Sequence, residues 1–132
     1  MKSGCRFLPG NPRLMAEPQP SRGEIWWVDF DPTRGSETGK TRPAVVINTD
    51  AVSSLPVRLV IPLTRWQEKH RQYHWRMKVV PTPLNGLSKP SAADALQLRC
   101  VSVDRFKERI GRLEASLMAE LSAAIALVVE FE

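Results

Sequence analysis

The sequence predicts a mainly β protein with one C-terminal helix, its strands forming a small barrel or curled antiparallel sheet. Three observations carry this expectation. Five short runs rich in β-branched and aromatic residues are separated by turn signals. An apolar stripe at helical spacing appears at the C-terminal end. The length of 132 residues, 42% hydrophobic and 25% charged, suits one ordinary globular domain.

Each element has a local reason. Residues 1–21 hold Pro9, Pro12, Pro18 and Pro20 without periodicity, so they read as an irregular, flexible tail ahead of a domain spanning 22–132. Residues 1–14 are expected to be dispensable, with Met15 an alternative start. Ile25–Phe30 suits a strand, and Asp31-Pro32 stops it. Residues 33–41 form a polar loop. Residues 43–48 are a second strand, with Pro43 at its start, where a strand tolerates proline. A turn over 49–56 leads to a third strand, Val57–Leu63, and a polar connection runs to Tyr73. Residues 75–80 and 95–103 alternate and read as the fourth and fifth strands, with a loop over 81–91 between them. Residues 104–112 read as a short turn and a further strand. Leu117, Leu121, Ala124, Ile125 and Val128 then mark one face of a helix. Neither Glu114 nor Ser116 completes a capping box ahead of it.

Composition narrows the class of function. No apolar run reaches the roughly 18–20 residues of a membrane span, and the N-terminus has no secretory h-region, so the chain reads as soluble and cytoplasmic. Nineteen Lys and Arg against 14 Asp and Glu give a net charge of +5, which favours an anionic partner such as nucleic acid. Lys2, Arg6 and Arg13 supply part of that excess from the tail. Cys5 and Cys100 lie far apart with no CxxC, and His70 and His74 are the two histidines. A zinc site and a disulfide scaffold are therefore disfavoured.

Four segments could carry chemistry. Gly35–Arg42 is a glycine-containing loop with Lys40 and Arg42 as phosphate-binding cations. It lacks the GxxxxGK[ST] spacing of a P-loop. The stretch from Arg58 to Lys78 interleaves six cations, Arg58 among them, with Trp66, Tyr73 and Trp75. This is the footprint of single-stranded nucleic-acid binding and equally of a charged hairpin with core tryptophans. His70 and His74 could act as acid and base, though surface positions are the simpler expectation. The segment Asn85–Asp94, with Gln97 and Arg99, could line a groove and read base edges.

The ordered set of motifs resembles the MazF/PemK family of toxin endoribonucleases. The motifs are Arg22-Gly23-Glu24-Ile25-Trp26, Asp31-Pro32-Thr33-Arg34-Gly35-Ser36-Glu37, Arg42-Pro43-Ala44-Val45-Val46-Ile47, Val60-Ile61-Pro62-Leu63-Thr64, Asn85-Gly86-Leu87-Ser88, Gln97-Leu98-Arg99 and Asp104-Arg105-Phe106. The resemblance covers about residues 22–131 and implies an SH3-like small barrel with a C-terminal helix. It implies a homodimer that cuts single-stranded RNA without metal or cofactor and is neutralised by a cognate antitoxin. The expected products carry a 2′,3′-cyclic phosphate and a 5′-hydroxyl. It places the catalytic pair on Arg42 and Thr64, with Glu37 as the loop acid. Lys40, Arg65, Trp66, Gln97 and Arg99 are the expected RNA contacts. Two other readings share the fold: a non-enzymatic toxin acting on DNA gyrase, and an inactive RNA-binding module. The tail and the His70/His74 pair depart from the family pattern.

Overall fold

The computed structural model describes residues 19–131. They form β1 (Glu24–Asp29), β2 (Thr41–Val46), β3 (Val57–Arg65), β4 (Arg76–Val79), β5 (Ser91–Asp94), β6 (Arg99–Ser102), β7 (Phe106–Arg112) and α1 (Ala115–Val128), with four short 3₁₀ turns. The seven strands make one antiparallel sheet of order β4-β5-β3-β2-β1-β7, and β6 also pairs with β3. No ladder among the described residues joins β4 to β7, so the sheet is curled and unclosed. The residues 1–14 expectation lies outside the described residues. Pro20 is buried and its carbonyl accepts from Arg58 Nε at 2.8 Å. The folded unit therefore includes residue 20, just ahead of the boundary expected at 22.

The sheet is buried on both faces at its centre. Ile25, Val45, Ile61 and Leu63 face one cluster, which α1 covers with Met118 and Leu121. Ala44, Val46 and Val60 face a second cluster with Val28 and Phe30. Successive residues of β2 thus enter opposite cores, which explains its unbroken apolar run. In β1 the same alternation holds: Ile25 enters the first cluster and Val28 the second. The β1–β7 ladder shifts register between Ile25 and Trp26 and again between Trp27 and Val28. Such irregularities increase the local twist of the ladder.

One expected strand is two elements. Residues 95–103 divide into a 3₁₀ turn at Ala95–Gln97 and strand β6, while β5 occupies Ser91–Asp94, at the end of the expected loop and just beyond it. The Asp94 carboxylate causes the break by accepting from Leu96 N–H at 2.9 Å, a local bond that competes with the ladder. Along its outer edge β3 meets β6 from Val57 to Val60 and β5 from Leu63 to Arg65. Pro62 falls in the gap between these two ladders, where a missing donor is tolerated.

Candidate functional site

A groove of about 410 Å³ opens at the end of the sheet where β2 begins and β3 ends. Ala44 pairs with Pro62 and Val45 with Ile61; continued toward the groove, this register sets Arg42 opposite Thr64. Both side chains line the groove, together with Arg65 and Lys89. No acid is among its described lining residues. The site is therefore cationic and ready for a polyanion. Arg42 is held by donating from Nε to the Gly39 carbonyl at 2.9 Å.

The opposite wall is the segment Gly86–Lys89 with Ser91 and Ile110. Asn85, fully buried, fastens it: its Oδ1 accepts from Thr82 N–H and Leu87 N–H at 3.0 Å each, and its Nδ2 donates to the Val80 carbonyl at 2.9 Å. The wall crosses β7 at Gly111, where an added Cβ would lie 2.4 Å from the Leu84 carbonyl oxygen. Gly86 has φ +68, a conformation that favours glycine. Trp27, 40% exposed, completes the groove from β1. The sequence reading missed Trp27 as a groove residue. Two adjacent tryptophans in a strand were the available signal, because neighbours point to opposite faces.

The remaining expected contacts are dispersed. Lys40 is exposed at the loop's end with φ 68, its N–H donating to Asp31 Oδ1 at 2.8 Å. Glu37 is exposed and folded onto its own loop, accepting from Arg34 N–H at 2.6 Å. Gln97 tethers the same loop, its Oε1 accepting from Thr38 N–H at 3.1 Å. Trp66 follows Arg65 in the chain but is not among the groove's lining residues; Lys78 lies 5.5 Å and Arg71 5.8 Å from its ring, and His70 packs edge-on at 5.3 Å. Arg99, on β6, sits 5.4 Å from the Phe30 ring and is not among the groove's lining residues.

Two expectations are corrected. Arg58 is not an RNA-facing cation: it is 2% exposed and donates to the carbonyls of Pro20, Ser53, Leu55 and Val57. Burial lowers its pKa, partly offset by Asp50. His70 is buried, not a surface residue, within a 3₁₀ turn at Glu68–Gln72, and its Nδ1 accepts from Gln67 N–H at 3.2 Å. Burial, then Arg76 and Lys69, hold its pKa below the usual value despite Asp94. His74 is exposed, as expected. Among the described residues no three His, Cys, Asp or Glu side chains cluster as metal ligands, and no helix is long and apolar enough to cross a membrane.

Known proteins resemble this chain over nearly all of the described fold. The family model described as the PemK-like, MazF-like toxin of type II toxin–antitoxin systems matches residues 21–129. The endoribonuclease MazF9 of Mycobacterium tuberculosis is 37% identical over 112 residues, covering 80% of this chain and 92% of that protein. In fold, the crystal structure of MazF from Deinococcus radiodurans matches with a TM-score of 0.73 at 23% identity, covering 87% of this chain and all of that one. A mycobacterial endoribonuclease in complex with its cognate antitoxin matches with a TM-score of 0.69 at 15% identity, over 86% and 97% of the two chains. With a family match across the sheet, the groove and the helix, this chain belongs to the PemK-like, MazF-like toxins of type II toxin–antitoxin systems.

Proposed function

We propose that this protein is a sequence-specific, metal-independent endoribonuclease that cuts single-stranded RNA, acts as a toxin in the cytoplasm, and is neutralised by a cognate antitoxin. The observation that carries the reading is Arg42 opposite Thr64 in a groove flanked by Arg65 and Lys89. The family's description as an antitoxin-paired toxin and the endoribonuclease name of the 37% identical relative support it.

In the proposed reaction the ribose 2′-oxygen attacks the adjacent phosphorus as its proton departs. The bond to the 5′-oxygen breaks, and that oxygen takes up a proton. The products are a 2′,3′-cyclic phosphate and a 5′-hydroxyl. Negative charge grows on the phosphorane oxygens, where Arg42 offers a fixed cation and a fork of donors, and Thr64 offers one hydroxyl donor. Arg42 is a poor base because guanidinium holds its proton above a pKa of about 12. Glu37 is not among the groove's lining residues, so it serves as a base only when the loop carries it into the groove. The chain is further proposed to work as a homodimer. Leu127, Val129 and Phe131 leave apolar surface at the end of α1, and light scattering at micromolar concentration should return twice the 14.9 kDa chain mass.

The decisive experiment incubates the purified protein with a long RNA in EDTA. Discrete fragments with 5′-hydroxyl ends are the expected result. A gel shift without cleavage would instead mark an RNA-binding module, and gyrase-dependent DNA breaks a gyrase poison.

A further inference from the structure

Next to the groove lies a smaller cavity of about 160 Å³ that the proposed chemistry does not use. Thr64 lines both spaces, so they meet at that side chain. The smaller cavity has polar walls contributed by the 33–41 loop, β3, the 68–72 turn, β4 and β5. Buried Asp94 pairs with Arg76 at 3.1 Å through Arg76 Nε. The Arg76 guanidinium lies 4.9 Å from the Tyr73 ring centroid, which fixes its plane. Its terminal nitrogens have no hydrogen-bond acceptor among the described residues. His70, with Nδ1 occupied by Gln67 N–H and its pKa lowered, is neutral near pH 7. Its proton therefore sits on Nε2, the donor it can offer to the cavity it lines.

We infer that this cavity receives one nucleobase of the RNA, the base beside the cut, and that Arg76, Asp94 and His70 determine sequence specificity. The inference rests on the endoribonuclease reading above. The volume admits a single base. Donors from Arg76 and His70 stand beside the Asp94 acceptor, which suits the mixed donors and acceptors of a Watson–Crick edge, the edge that single-stranded RNA leaves free. An apolar side chain would leave the polar walls unpaired, and a phosphate would face the Asp94 carboxylate. Thr64, shared by both spaces, sets this base next to the phosphate bound at Arg42.

The test is single-turnover cleavage of an RNA carrying a randomised cassette, with the new 5′ ends sequenced. Wild-type protein should show a strong preference at one position flanking the cut. In His70→Asn the side-chain oxygen replaces Nδ1 as acceptor for Gln67 N–H, so the turn is kept while the Nε2 donor is lost. Arg76→Lys keeps a cation for Asp94 and loses the fork. Both variants should relax that one preference roughly tenfold, the scale of one paired base contact. Preferences at other positions and the melting temperature should stay near wild type. Even slowing at all sites, or an unchanged profile, would overturn the base pocket while leaving the nuclease reading intact. If Arg76→Lys fails to fold, His70→Asn alone decides. A wild-type protein that cuts no RNA would overturn the nuclease reading, and the base pocket with it.

Discussion

Arg42→Ala is expected to lower the rate of RNA cleavage by about 100-fold or more, the scale of losing one transition-state donor. RNA binding should weaken less, because Arg65 and Lys89 still line the groove. Alanine also frees the Gly39 carbonyl that Arg42 Nε engages, so two companions separate chemistry from loop anchoring. Arg42→Lys keeps the charge without the two-pronged geometry and should recover only part of the rate. Thr64→Val removes the hydroxyl with little change of shape and should slow cleavage while the melting temperature stays near wild type. Single-turnover cleavage of one short RNA by all three variants is the measurement. An Arg42→Ala protein as fast as wild type would remove Arg42 from the catalytic pair.

Arg58→Met should strongly destabilise the sheet and should affect RNA binding only through the fold. The side chain is 2% exposed and ties the carbonyls of Ser53, Leu55 and Val57 to that of Pro20. Methionine fills much of the space but donates nothing, leaving partly buried acceptors unpaired. The cost is about 3–5 kcal/mol, given that hydrogen bonds to charged groups contribute about 1.5–3 kcal/mol each and only some acceptors regain water. For a domain of this size that corresponds to a fall in melting temperature of roughly 10 °C or more. Thermal unfolding followed by circular dichroism checks it. A shift of only about 2 °C, less than one such hydrogen bond implies, would show that solvent replaces the guanidinium.

These two arginines show what the sequence could and could not convey. Arg42 was legible because Arg-Pro opens an apolar strand and the register of antiparallel neighbours carries it to the sheet's end. Arg58 looked identical in kind, a cation in a strand beside aromatic and basic residues. Its fate was decided by backbone carbonyls at 20, 53 and 55, which no side-chain pattern records. His70 was misread for a related reason. The 3₁₀ turn that buries it is held by its own Nδ1 and is too short to have a period. The helix was readable because burial imposes periodicity: Leu121 and Ala124 of the expected stripe are buried, though the structure also buries Met118, one place from the expected Leu117. The first three strands were readable from their β-branched and aromatic runs. The run at 95–103 misled because its alternation was real while exposed Leu96 belonged to a turn. The groove was half visible: Thr64 and Arg65 lie on a recognisable strand, while Trp27 lies at the irregular centre of the β1–β7 ladder.

The way β1 and β3 find their partners also sets when the groove can be completed. β1 pairs with β2 close by in the chain, but its other edge waits for β7, and the outer edge of β3 waits for β5 and β6. A chain emerging from the ribosome folds from its N-terminal end, and contacts between distant segments form last. Arg42 and Thr64 therefore leave the ribosome well before the Gly86–Lys89 wall, and before the strand that wall crosses at Gly111. The groove is therefore complete only once β7, which carries Ile110, has emerged. A partly emerged chain holds Arg42 and Thr64 without the wall that faces them across the groove.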